Sequence, residues 1–236
     1  MFLNSYFAEQ NGSYSFSREQ ASHFAKRVAG DFNPIHDADN KRFCVPGDLL
    51  FSVMLAKTGL SQKMRVEFAG MITDGIALTI NTKSATDLSL VDDKGKEYLH
   101  VIRDGEITHN TKLIETVTQN YVKFSGMNFP HIMVPLMESE QVMINPVRPL
   151  VIYESMELEF SRLDLDAPQV ELTDSIIETD GKRGSVTLAF SFKENGEVVG
   201  EGRKKMLMSG LKPYSQEDIN DLVDRFNARK AAYLAA

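Results

Sequence analysis

Residues Gly47 to Thr58, GDLLFSVMLAKT, are apolar on almost every side of a helix. A surface helix carries one apolar stripe, so a segment apolar all round has to be enclosed by the rest of the chain. Gly59 is placed to end it. From Met64 the pattern changes to the alternation of strands, with β-branched residues in MRVEFAG, GIALTINTKSATDLSLVDD and EYLHVIRDGEIT. Turn residues such as Lys94-Gly95 divide them, and three or four antiparallel strands follow from this reading. The chain has 236 residues, of which 42% are hydrophobic and 25% charged. That suits one large domain or two small ones sharing an interface, with a core that needs no disulfide or structural metal.

Ahead of the enclosed segment, Ser17 and Gln20 form a capping box for a helix over Ser17–Ala29. Ala21, Phe24, Ala25 and Val28 lie on one face of it, and Gly30 ends it. The order of elements then repeats. NTKLIETVTQNYVKFSG reads as a helix, and FPHIMVPLMESEQVM as a helical segment interrupted by Pro135. Strands follow, with Asn195-Gly196 as a hairpin turn. Met64-Arg65-Val66-Glu67-Phe68 is echoed by Met156-Glu157-Leu158-Glu159-Phe160, each opening a run of strands. This predicts a structural duplication, with one repeat over 1–105, a second over 106–212 and a tail over 213–236. The tail is a helix with Ser215 before its acidic first turn and an apolar stripe of Ile219, Leu222, Val223 and Phe226. It packs on the body or on a second subunit. The expected class is α+β, with antiparallel strands following a helix in each half.

The net charge of −7, with Lys and Arg dispersed, argues against nucleic acid as a partner. A single cysteine, Cys44, excludes an internal disulfide and a cysteine-based zinc site. The first residues lack the basic start and apolar block of a signal peptide, and no apolar run approaches the roughly 20 residues that span a bilayer. A cytoplasmic protein without a membrane partner is expected.

The stretch AGDFNPIHDAD, Ala29–Asp39, carries the chemistry. Asp31 follows a helix stop, and Asn33-Pro34 stiffens the chain between it and His36. A carboxylate and an imidazole held this way can share one water as base and acid. Gly47 opens the enclosed helix, whose free N–H groups can receive a developing negative oxygen. Each residue alone also fits a plain role: a loop acid, a hydrogen-bonded loop histidine, a helix N-cap. Asp37 and Asp39 lie nearby, but the spacing is not that of a calcium loop and no second histidine is close, so no metal is expected. Cys44 reads as a packing residue, and His131 as a helix-start residue.

AGDFNPIHDAD resembles the hydratase motif of the MaoC-like hot-dog proteins, which include the (R)-specific enoyl-CoA hydratases. The resemblance is specific over about Phe16–Leu60 and one of element order beyond. It implies a double hot-dog fold with Asp31 and His36 as the catalytic pair acting on water, Asn33 as a positioning, substrate-binding residue and Gly47 N–H as the donor to the thioester carbonyl. The implied reaction is reversible hydration of a 2-enoyl thioester carried on coenzyme A or an acyl-carrier protein, with no further cofactor. The second half lacks the motif, as in double hot-dog hydratases where one repeat keeps the site and the other supplies binding surface. The chain would then be a monomeric pseudo-dimer or a homodimer. Three features depart from the family: a shorter segment between His36 and Gly47, Pro46 where histidine is frequent, and Asp48 where an apolar residue is usual. A non-catalytic acyl-thioester binding module and a thioesterase are the alternatives on the same scaffold. The full chain also looks like members of an uncharacterised bacterial family of similar size.

Overall fold

The computed structural model describes residues 2–235, so Met1 and Ala236, the outermost positions of the first and last predicted segments, lie outside the described residues. A short hairpin of β1 (Ala8–Gln10) and β2 (Ser13–Ser15) precedes α1 (Arg18–Phe24), and a wider π-turn continues α1 over Ala25–Ala29. The Ser17–Gln20 capping box forms as expected. After the polar stretch comes α2 (Gly47–Thr58), then β3 (Leu60–Phe68), β4 (Leu78–Thr82), β5 (Asp87–Asp92) and β6 (Glu97–Thr108). β6 thus runs past the 105/106 division before the chain turns into α3 (Thr111–Gly126).

Two short helices follow, α4 (Asn128–His131) and α5 (Met133–Ser139). The interruption lies elsewhere than at Pro135. Pro135 sits in the first turn of α5, where its missing N–H has no intrahelical partner to lose. The chain leaves helical geometry at Phe129 (φ −103°, ψ 125°), because a residue before proline is pushed toward extended backbone. His131 is exposed and closes α4, so it does not start a helix as its sequence position predicts. The remaining elements are β7 (Val142–Met143), β8 (Val151–Phe160), β9 (Gln169–Asp180), β10 (Arg183–Glu194), β11 (Glu197–Ser209), β12 (Lys212–Pro213) and α6 (Gln216–Leu234).

Ten strands form one antiparallel sheet in the order β1-β2-β4-β5-β6-β3-β8-β11-β10-β9, while β12 and β7 pair separately. The two runs of strands meet where β3 pairs with β8, Met64 opposite Leu158 and Arg65 opposite Glu157. Alternation sorts the faces: Met64, Val66, Met156, Leu158 and Phe160 are buried, while Lys63, Arg65 and Glu159 reach solvent. Lys63 bonds Glu159 at 2.7 Å on that outer face, and Arg65 pairs with Glu157.

On the inner face lies α2, with every residue from Asp48 to Leu55 buried. α3 packs beside it through Leu113, Ile114, Val117, Tyr121 and Val122, with its other face in solvent. The architecture is α+β, a double hot-dog in which the sheet curls around α2 on one side and around α3 with α4 and α5 on the other. A second core cluster around Met133, Met137, Met143, Met206 and Met208 fills the latter side. No described helix is long and apolar enough to cross a membrane.

Candidate active site

Gly30 takes the left-handed conformation (φ 67°) that ends the helical run, and Asp31 N–H donates back to Ala25 O at 2.8 Å. The turn from Asp31 to His36 is then fixed from within. Asn33 N–H donates to Asp31 Oδ1 (2.8 Å), and Asn33 Oδ1 accepts from Ile35 N–H (3.2 Å), which starts a 3₁₀ turn over Pro34–His36. Asn33 is therefore occupied in holding the turn. From outside, Asn40 Nδ2 donates to Pro34 O (2.6 Å), and the Arg18 guanidinium donates to Ala38 O and Asn40 O, both at 3.0 Å.

His36 Nδ1 lies 2.7 Å from Cys44 O. A carbonyl oxygen only accepts, so Nδ1 carries the proton and the neutral ring presents Nε2 as its acceptor. Nε2 faces Asp31 Oδ2 at 3.6 Å, slightly beyond a direct hydrogen bond. The side chains retain 13% and 26% of their exposure, so solvent reaches both. The sequence-predicted pair is brought together, and the Cys44 carbonyl ties it to the segment entering α2.

Gly47 is the first residue of α2, and no side chain caps this helix end. A Cβ at Gly47 would lie 2.8 Å from the Phe68 ring, so the close approach of Phe68 itself requires glycine here. Asp48 does not cap the helix either. Its Oδ2 accepts from Ser125 Oγ at 2.6 Å, and Ser125 Oγ also lies 2.5 Å from Lys204 Nζ. Lys204, on β11, is only 5% exposed and stands 4.3 Å from the centre of the Tyr153 ring. The Tyr153 and Tyr121 hydroxyls pair beside it. Burial pushes the Asp48 carboxyl up, and the Lys204 ammonium and the Ser125 hydroxyl pull it back. Burial holds the Lys204 ammonium below the usual lysine range, against the pull of Asp48 and Asp31.

Ser125 and Lys204 are missing from the sequence-based set. Lys204 left a signal: alternation in β11 puts it on the side of Met206 and Met208, opposite Arg203 and Lys205. Ser125 left none. Asp37, beside the turn, pairs with Lys26 (2.8 Å) and Arg229 (3.5 Å). Among the described residues no group of three or more His, Cys, Asp and Glu is placed to hold a metal ion. An open depression of about 490 Å³ lies on the outer face of the sheet between Arg65, Arg103, Glu157 and Arg203, and includes none of the turn residues.

Among solved structures, the chain is similar to a tesB protein from Mycobacterium avium subs paratuberculosis, with 9% identity over 87% of this chain and 96% of that one, TM-score 0.48. It is similar to the full-length peroxisomal multifunctional enzyme type 2 from Drosophila melanogaster, with 8% identity over 82% of this chain and 47% of that one, TM-score 0.47. A MaoC-like dehydratase matches with 10% identity over 87% and 98% of the two chains, TM-score 0.44. No curated protein matches. A family profile described as protein of unknown function, DUF3581, matches residues 1–217, and the chain belongs to that family.

Proposed function

We propose that the protein hydrates and dehydrates an acyl thioester, a 2-enoyl or 3-hydroxyacyl group on coenzyme A or an acyl-carrier protein. One observation carries the reading: Asp31 Oδ2 and His36 Nε2 converge at 3.6 Å on a solvent-reaching spot, with the histidine tautomer set by Cys44 O. A water held between them is within reach of a carboxylate and an imidazole acceptor. In hydration its oxygen bonds to C3, the C2–C3 π pair moves onto the thioester carbonyl, and a water proton passes through the pair to C2. Negative charge develops on the carbonyl oxygen, which the uncapped α2 end at Gly47 would receive through backbone N–H groups. On this reading the first half carries the reacting groups and the second supplies binding surface.

Purified protein is assayed for hydration of crotonyl-CoA and longer 2-enoyl-CoAs by loss of the enoyl thioester absorbance. The Asp31→Ala, His36→Ala double variant loses roughly 10²- to 10⁴-fold in kcat/KM, the span of general acid–base catalysis. Equal rates for the variant and wild type remove both roles.

A second reading, non-catalytic acyl-thioester binding, is favoured by Asp48. This acid follows Gly47 directly and is buried beside the helix end where the developing oxyanion would sit. Thermal stabilisation by an acyl-CoA with no product formed distinguishes it.

A further inference from the structure

The Asp31–His36 turn is held from within by short hydrogen bonds, but one of its residues points at a distant part of the chain. Phe32, between Asp31 and Asn33, is 3% exposed. Its ring stacks edge-on against two rings of α6, Phe226 at 5.8 Å and Tyr233 at 5.9 Å between centroids. Four further contacts surround that insertion. Arg229 Nε lies 3.5 Å from Asp37 Oδ2, immediately after the turn. Tyr233 Oη accepts from Arg27 Nε at 2.8 Å, in the π-turn immediately before it. Lys26 stands 5.6 Å from the centre of the Tyr233 ring and also bonds Asp37 at 2.8 Å.

The rest of α6 is lightly attached. Ile219 is its only buried residue, and Leu222 and Val223 lean on the second core cluster. The attachment to the second core cluster is confined to the amino-terminal part of this 19-residue helix. Phe226, Arg229 and Tyr233 reach the flanks of one short turn, and Phe226 also meets the Phe129 ring of α4 at 5.7 Å. The family profile ends at residue 217, at the first residues of α6, so this cover lies almost wholly beyond the matched region.

We infer that α6 is a strap whose Phe226, Arg229 and Tyr233 are positioning residues: they grip Phe32 and Asp37 and so hold Asp31 and His36 facing each other. None of the three touches the reacting atoms on this account. Their effect on turnover rests on the hydration reading, but their effect on the turn does not. The two are therefore tested by separate measurements on the full-length chain.

Amide hydrogen exchange is followed in wild type and in the Phe226→Ala, Tyr233→Ala variant. Amides of Asn33, Ile35, His36 and Asp37 exchange about tenfold faster or more in the variant, while those of β3 and β8 keep their protection. Leu234→Ala, on an exposed position of the same helix, leaves the turn amides unchanged. Should the double variant fail to fold, Tyr233→Phe and Arg229→Gln remove only the hydroxyl and the charge, and the turn amides alone accelerate, by a smaller factor. In the hydration assay, kcat falls about 10- to 100-fold with KM little changed, as expected when reacting groups are misplaced and binding surface is intact. Turn amides that keep wild-type exchange in the double variant overturn the strap, and so does an equal loss of protection across the whole sheet. A loosened turn in a protein without hydration activity supports the strap and removes the hydration reading.

Discussion

α2 and α3 lie side by side under one sheet, yet their amino-terminal ends are finished in opposite ways. α3 starts conventionally: Asn110 Oδ1 accepts from Lys112 N–H (3.0 Å) and Leu113 N–H (3.3 Å), and half of the helix faces water. α2 has no side-chain cap, is enclosed along Asp48–Leu55, and carries its first-turn acid inward to Ser125 and Lys204. A helix open to solvent can satisfy its first N–H groups anywhere. An enclosed one needs a partner supplied by the fold or by a ligand, so its end is a place where chemistry can be put. The Asp31–His36 turn is tied through His36 Nδ1 and Ile35 O to Cys44, three residues before the enclosed helix begins.

The comparison breaks most readily at the two helices themselves. Phe51 is the largest of the fully buried side chains of α2. Phe51→Ala lowers stability by about 3–5 kcal/mol in urea unfolding, while Leu113→Ala, in the first turn of the half-open α3, falls toward the lower end of the about 2–5 kcal/mol range for that deletion. Equal losses would mean that α2 is no more enclosed than its counterparts. The inward acid gives the next effect. Lys204→Met leaves the Asp48 carboxyl buried without its counter-charge and costs about 3 kcal/mol, and adding Asp48→Asn recovers most of it. A double variant as unstable as the single one would show that Lys204 acts by packing alone. The smallest effect sharpens the difference in capping. Asn110→Ala removes two hydrogen bonds at the start of α3 and costs about 1 kcal/mol, with no change in exchange at the Asp31–His36 turn.

Much of this was readable in the chain. The all-round apolar run at Gly47–Thr58 gave the enclosed helix, and local spacing gave the stiff turn, since proline and a helix stop act over a few residues. The amino-terminal hairpin is equally local: Asn11-Gly12 (φ 52° and 75°) turns β1 into β2 with the same chemistry as Asn195-Gly196. What could not be read depends on distance along the chain. Ser125 meets Asp48 across 77 residues and Lys204 across 79, and neither partner carries a pattern that names the other. Arg27 reaches Tyr233 across 206 residues, so the amphipathic stripe of α6 announced a packed helix without saying what it would cover.

The seam between β3 and β8 has one more consequence. Aligning Met64–Phe68 with Met156–Phe160 makes Arg65 and Glu157 counterparts, and the observed register sets those two directly opposite each other. Two identical polypeptides meeting there would confront arginine with arginine, or glutamate with glutamate, at the midpoint. Carrying both halves on a single polypeptide lets that midpoint be occupied by unlike charges, a freedom closed to any assembly of equal parts.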